Sequence, residues 1–281
     1  MKLGCMTYSF SRSLRNESIT VPQIFSLIKE LGGEGVDILA GNGKDYTNAE
    51  LRRMVADAGL VTCCYIISGG NFLVTDSIEQ AKILDAIRRD IDDAREIGSE
   101  IVMVGYPSCP EGMEKSEVRK HIAGGISKLL PHAKQAGITL TVESRGSAKS
   151  PLRLGSEVME CCEMAGPELM VTYDMGNMVL GDEDPLKSLE ILHQRIVYSH
   201  AKDWELLPSD AEAGHVSPSG KRYTGTVVGR GVIDLPAVFA GLRDIEYDGF
   251  VSFEYEGSGD PVEAAREGMS YLREQIEVNN V

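Results

Sequence analysis

Three observations make this sequence read as a closed (β/α)8 barrel in a single domain spanning residues 1–281. Short apolar runs of strand length alternate eight times with longer segments of helical period. The switch from helix to strand is repeatedly marked by glycine, the residue that tolerates the left-handed cap closing a helix. A length of 281 residues suits a barrel of this kind, which takes roughly 250 residues. No GxGxxG follows a strand, so a dinucleotide-binding sheet lacks its fingerprint.

Taken in order, the strands are expected at Lys2–Tyr8, Gly35–Leu39, Leu60–Ile67, Ile101–Gly105, Ile138–Glu143, Leu169–Asp174, Ile196–His200 and Gly249–Glu254. The segments ELGGEG, ADAGL, REIGSE and KQAGI end the first four helices. The adjacent Cys63 and Cys64 are expected to alternate between barrel interior and helix layer. Pro261 to Val281 reads as an amphipathic closing helix with Ala264, Met269, Leu272 and Ile276 on one face. One connection is out of scale. Residues 201–231 follow the seventh strand with no helical period, and a loop of that length is usually functional. It holds Trp204, His215, Lys221, Arg222, Tyr223 and the glycines of GRG, and is expected to overhang the carboxyl ends of the strands as a lid or a subunit contact.

A hydrophobic fraction of 42% with 25% charged residues allows a sizeable core. A formal charge of −15 opposes phosphate backbones and anionic membranes, so neither nucleic acid nor a membrane surface is an expected partner. Two vicinal cysteine pairs, no CxxC and no spaced framework point to reduced thiols. No stretch is apolar enough for a signal or a span. The expectation is a soluble cytoplasmic protein.

Four of the expected strands end on a residue able to bind a divalent cation: Glu143 in ITLTVES, Asp174 in LMVTYD, His200 in IVYSH and Glu254 in FVSFEYE. Singly, each is an ordinary turn or capping residue. At successive strand ends of a parallel barrel they would converge, and three carboxylates with one imidazole suit one divalent metal ion, Mn²⁺, Mg²⁺, Co²⁺ or Zn²⁺, at a catalytic centre. The imidazole would bind neutral, its second nitrogen held by an acceptor that the pattern does not reveal. Lys202 lies two residues beyond His200, on the same side of an extended strand, and is a candidate for a substrate oxygen. Tyr8 and Tyr65, placed toward the ends of the first and third strands, are candidates for the wall of a binding cavity, and Arg145 and Arg222 for substrate contacts. His121, His132 and His193 fall in outer helices, where packing or solvation accounts for them.

The segments KLGCMTYSF, GGEGVDIL, TVES, TYDMGN, SHAKD, GRGVID and FVSFEYEG together resemble the sugar phosphate isomerase/epimerase superfamily of xylose isomerase-like barrels over nearly the whole chain. That superfamily includes ketose 3-epimerases, hydroxypyruvate isomerases, inosose dehydratases and, more distantly, endonuclease IV. The resemblance implies that Glu143, Asp174, His200 and Glu254 are the metal ligands and that Glu143 and Glu254 are also the acid/base pair. Asn177 stands where a histidine commonly follows the metal aspartate by three residues, at a position implied to contact substrate. The implied activity is proton transfer beside the carbonyl of a ketose or related polyol, with a lyase or dehydratase acting through the same residues as the alternative. Association into a homodimer or homotetramer is a further implication. Endonuclease-type chemistry needs many more histidines at strand ends, and only His200 stands at one.

Overall fold

Runs such as VTCCYII and IVYSHA are too short to form a stable helix and rich in β-branched and aromatic side chains, so they extend and pair. The computed structural model describes residues 1–280; the last residue of the expected closing helix, Val281, lies outside the described residues. The strands are β1 Lys2–Met6, β2 Gly35–Leu39, β3 Val61–Ile67, β4 Ile101–Val104, β5 Thr139–Val142, β6 Met170–Asp174, β7 Ile196–Ala201, β8 Asp203–Leu207, β9 His215–Val216, β10 Arg222–Thr226 and β11 Phe250–Phe253. Eight of them close a barrel in the order β1-β11-β7-β6-β5-β4-β3-β2, and every pairing within it is parallel. The eightfold barrel expected from the pattern is the one observed, with strand ends moved by one or two residues.

Two departures have local causes. The first strand stops at Met6 instead of running to Tyr8, because Thr7–Phe10 turn into a short 3-10 helix and the Thr7 hydroxyl accepts the Leu39 N–H at 3.0 Å. The cysteine pair does not alternate between layers. The β2–β3 ladder slips so that Val36 pairs with Thr62 but Asp37 with Cys64. The extra residue, Cys63, is the signature of a bulge. Cys63 and Cys64 both join the interior cluster with Met6, Ile66, Met103 and Tyr198. All six cysteines are free.

The helical ring buries one stripe per helix. In Ser77–Ile97 the buried residues are Leu84, Ile87, Ile91, Ala94 and Ile97, at helical spacing. Asp76 caps its start by accepting from the N–H groups of Ile78 and Glu79. Gly98 ends it at φ +96°, a conformation that strains any side chain with a Cβ. Gly32, Gly59 and Gly137 also have positive φ, so all four glycine stops read from the sequence are left-handed. The closing helix, Pro261–Asn279, buries Ala264, Met269, Leu272 and Ile276 as expected.

The long connection is not an unstructured flap. It folds into a three-stranded antiparallel sheet ordered β8-β10-β9, pinned to the barrel at both ends. Trp204 is fully buried, and its Nε1–H donates to Gly176 O at 3.0 Å. The Asp203 carboxylate accepts the backbone N–H groups of Trp204, Gly229, Gly231 and Ile233 at 2.8–3.3 Å. A Cβ on Gly231 would lie 2.1 Å from Asp203 Oδ1, which accounts for a glycine there. Asp203→Ala is expected to strand several of these N–H groups and to cost ~3 kcal/mol. A urea titration checks the loss, and limited proteolysis should cut first within residues 205–225.

Candidate metal centre

Parallel strands in a closed barrel all open their carboxyl ends on one rim, so residues ending neighbouring strands must meet. β5, β6, β7 and β11 are consecutive around this barrel. The ladder places Asp174 directly opposite His200, and His200 opposite Ser252, two residues before Glu254. Glu143 leaves the end of β5. Ligand atoms of Glu143, Asp174 and His200 lie within 4.8 Å of one another. Glu254 stands beside this trio, with Oε2 at 3.7 Å from His200 Nδ1, while Glu143 Oε2 approaches the same nitrogen at 3.4 Å. Three of the four side chains expected to converge, Glu143, Asp174 and His200, thus meet closely, and Glu254 adjoins them at His200.

The charges in this cluster act strongly on each other because all are removed from water. Burial lowers the proton affinity of the Lys202 amine, but the carboxylates of Asp174, Glu254, Glu256 and Glu143 around it more than reverse this and raise it well above the usual lysine range. Its Nζ lies 3.0 Å from Asp174, 3.0 Å from Glu254 and 2.7 Å from Glu256. Burial raises the Glu143 carboxyl, yet the hydrogen bond and charge of His200 bring it below the usual carboxylate range. The Glu254 carboxyl is pushed up to about 8, first by burial and then by the charges of Asp174 and Glu256, against the opposing pull of Lys202. Two carboxylates beside one nitrogen are thus driven in opposite directions.

Each substrate-contact candidate has a definite place. Tyr8 lines the cavity above the cluster, half-exposed and just past the end of β1; Lys202 lines it too. Asn177 also borders the cavity, but both hydrogens of its amide are committed, to Asp174 Oδ2 at 2.8 Å and Ser144 O at 2.9 Å, and its backbone N–H caps Asp174 Oδ1. Its NH₂ group thus fixes the aspartate. Tyr65 does not face the cavity. It lies mid-strand in the core shared with the helices, and burial, with the charges of Asp93 and Asp90 on the neighbouring helix, pushes its phenol up to about 12. The bulge at Cys63 leaves Ile66 to line the cavity instead. Arg222 is also away from it, paired on β10 with Leu207 and Val216. His215, on the edge strand beside it, reaches the cavity edge-on to Trp204, ring centroids 4.9 Å apart.

The cavity encloses about 400 Å³, within the range of small-molecule sites. Its lining includes the apolar Met6, Leu39, Ile66 and Met103 and the charged Glu143, Arg145, Lys202, Glu254 and Glu256. Arg145 stacks over Tyr106 at 4.0 Å, and the Tyr106 hydroxyl donates to Glu143 O at 2.8 Å. Glu256, Tyr106 and, above all, Asp37 were not among the residues singled out from sequence. Asp37 is fully buried within the barrel and accepts from His200 Nε2 at 3.1 Å. A lone aspartate in the middle of an otherwise apolar strand, GVDIL, was the available signal.

Comparison with known proteins agrees with this architecture. The family model of the xylose isomerase-like TIM barrel matches residues 25–275. An inosose dehydratase of Lacticaseibacillus casei is 26% identical over 160 residues, 54% of this chain and 53% of that protein. The chain thus spans about half the length of the curated relatives it matches. An L-ribulose 3-epimerase superposes with a TM-score of 0.78 at 17% identity, covering 99% of this chain and 95% of the other. The IolI protein with a binding zinc atom superposes with a TM-score of 0.74 at 16% identity, over 100% and 97%. Both structures share the fold. With the family model spanning all but the two ends, this chain belongs to the xylose isomerase-like TIM barrels.

Proposed function

We propose that the chain is a divalent-metal-dependent enzyme that epimerises or isomerises a ketose or related polyol by moving a proton on carbon beside a carbonyl. The observation that carries this reading is the pairing of Glu143 and Glu254 against His200 Nδ1, with their proton affinities driven apart. The residues fit a metal on two grounds. Their donor set is mostly oxygen with one nitrogen, and the buried Glu254 Oε2 carries no hydrogen bond, which leaves a desolvated lone pair aimed into the cluster. Glu143, Asp174, His200 and Glu254 would hold the ion. Bound there, it would supply Lewis-acid stabilisation of the charge that develops on a carbonyl oxygen.

The protein's own groups do the rest. Glu143, of the lower proton affinity, is placed to take the proton from one face of the carbon, and Glu254, of the higher, to serve as its acid/base partner on the other. Lys202, between Asp174, Glu254 and Glu256, neutralises the surplus negative charge and presents an ammonium to a substrate oxygen. Asn177 keeps Asp174 from rotating. A second reading is favoured by the sequence similarity to an inosose dehydratase: the same carbanionic intermediate expels a β-substituent, with Glu254 as the acid/base partner of the departing oxygen.

Glu143→Gln and Glu254→Gln are each expected to lower kcat by ~10²–10⁴-fold, while His121→Ala leaves it unchanged; steady-state assays on a panel of ketoses and inososes would show this, and equal activity in all three variants would refute the assignment. Run in deuterated water, the same reactions distinguish the two readings. Solvent deuterium in an otherwise intact sugar marks epimerisation or isomerisation, and a dehydrated product marks elimination.

Metal binding should depend on pH in a definite direction. With its pKa at about 8, the Glu254 carboxyl of the metal-free protein is protonated at pH 7 and must lose that proton to act as a ligand. His200, whose proton burial loosens but the neighbouring carboxylates hold more tightly than usual, must lose that proton too, so affinity is expected to rise with pH through this range, ~tenfold per unit for each proton displaced. Zinc titrations by calorimetry in buffers of different ionisation enthalpy would register the released proton.

A further inference from the structure

We infer that Asp37 is a positioning residue that dictates which nitrogen of His200 faces the cluster. This inference rests on the metal reading above. The Asp37 side chain leaves the middle of β2 and crosses the barrel interior to β7, three strands away in the closed order. Its Oδ1 accepts from the hydroxyls of Tyr198 and of Ser252, the latter at 2.9 Å, and from the Cys63 thiol at 3.0 Å. Its Oδ2 accepts from His200 Nε2 alone, at 3.1 Å. Four donors converge on two oxygens, and an ionised carboxylate is a pure acceptor.

Barrel interiors of this type are filled mainly by branched apolar side chains. A buried charge there is costly unless every lone pair is used. The arrangement has one consequence at the mouth of the barrel. With Nε2 bound to donate to Asp37, a neutral His200 must carry its hydrogen on Nε2 and leave the Nδ1 lone pair facing Glu143 and Glu254. Edge-on packing of the Tyr198 ring against the imidazole, centroids 5.5 Å apart, holds the ring plane. Tyr198 thus bonds the acceptor and packs against the ring that the acceptor orients. A carboxylate behind a ligating histidine is a recurrent way to raise ligand basicity and fix the tautomer; here it is built from a strand that contributes nothing else to the cluster.

Asp37→Asn tests the assignment with almost no change of shape. Three donors oblige the amide oxygen to occupy the Oδ1 place, so the amide NH₂ is left facing Nε2. His200 must then accept at Nε2 and carry its hydrogen on Nδ1, where a metal would have to bind. Zinc affinity, measured by competition with a chromophoric chelator, is expected to fall ~10–100-fold at unchanged circular dichroism. Long-range ¹H–¹⁵N correlation spectra should show the His200 hydrogen on Nε2 in the zinc-loaded wild-type protein and on Nδ1 in the variant. A folded Asp37→Asn protein that binds zinc as the wild type does would overturn the inference. So would a wild-type spectrum with zinc on Nε2, which decides the matter even if the variant does not fold. A wild-type protein with no zinc affinity would overturn the metal reading itself, so the two failures are distinguishable.

Discussion

The structure depends on how a dense group of carboxylates is kept out of water at one end of the barrel. Asp174, Glu254 and Asp37 are buried, Glu143 and Glu256 nearly so, and their mutual repulsion in a poorly polarisable setting would expel them or protonate them all. Two cations prevent this. Lys202 takes one side of the cluster through Asp174, Glu254 and Glu256, and His200 takes the other through Asp37, Glu143 and Glu254. Both come from alternate positions of the SHAKD segment, His200 within β7 and Lys202 just past its end, so one short stretch supplies the counter-charge for carboxylates from four other strands. The neutralisation is uneven: Glu143 gains the imidazole's hydrogen bond, while Glu254 is crowded by two like charges, and this separates their proton affinities.

Fixing that cluster needs rigid backing, and the fold supplies it from three directions. Asn177 holds Asp174 from the following helix, and the Tyr106 hydroxyl holds the Glu143 backbone. Trp204 packs the base of the β8–β10 sheet against Gly176, where an added Cβ would lie 2.2 Å from the Lys202 side chain. The sheet therefore does more than cover the rim. Its anchoring residues adjoin the one lysine on which charge balance depends, and it delivers His215 to the cavity edge.

Cavity shape bears on the kind of molecule that enters. The lining combines charged groups with Met6, Leu39, Ile66 and Met103, so a ligand meets both polar and apolar surface. That mixture suits the sugar or related polyol proposed above. The two proposed readings, epimerisation and elimination, diverge in whether the next proton goes to carbon or to a departing oxygen. The barrel itself is indifferent to that choice.

Most of the fold was legible in the residues. Eight strands, four left-handed glycine stops and the closing helix follow from local periodicity and capping, which are properties of contiguous sequence. So was the nearness of Glu143, Asp174, His200 and Glu254, since in a parallel barrel the carboxyl ends of the strands share one rim. Tyr65 and Arg222 were misplaced because orientation about a strand depends on register, and a single bulge at Cys63 or a small antiparallel sheet changes it. Asn177 was read as a substrate contact; only three dimensions show that its hydrogens go to Asp174 and Ser144. Asp37 showed in the sequence only as a lone aspartate in an apolar strand, and its partners appear only in the closed barrel. Local sequence determined which side chains reach the mouth of the barrel; closure of the sheet decided which of them touch, since a hydrogen bond between strands 163 residues apart in the chain exists only once the ring is complete.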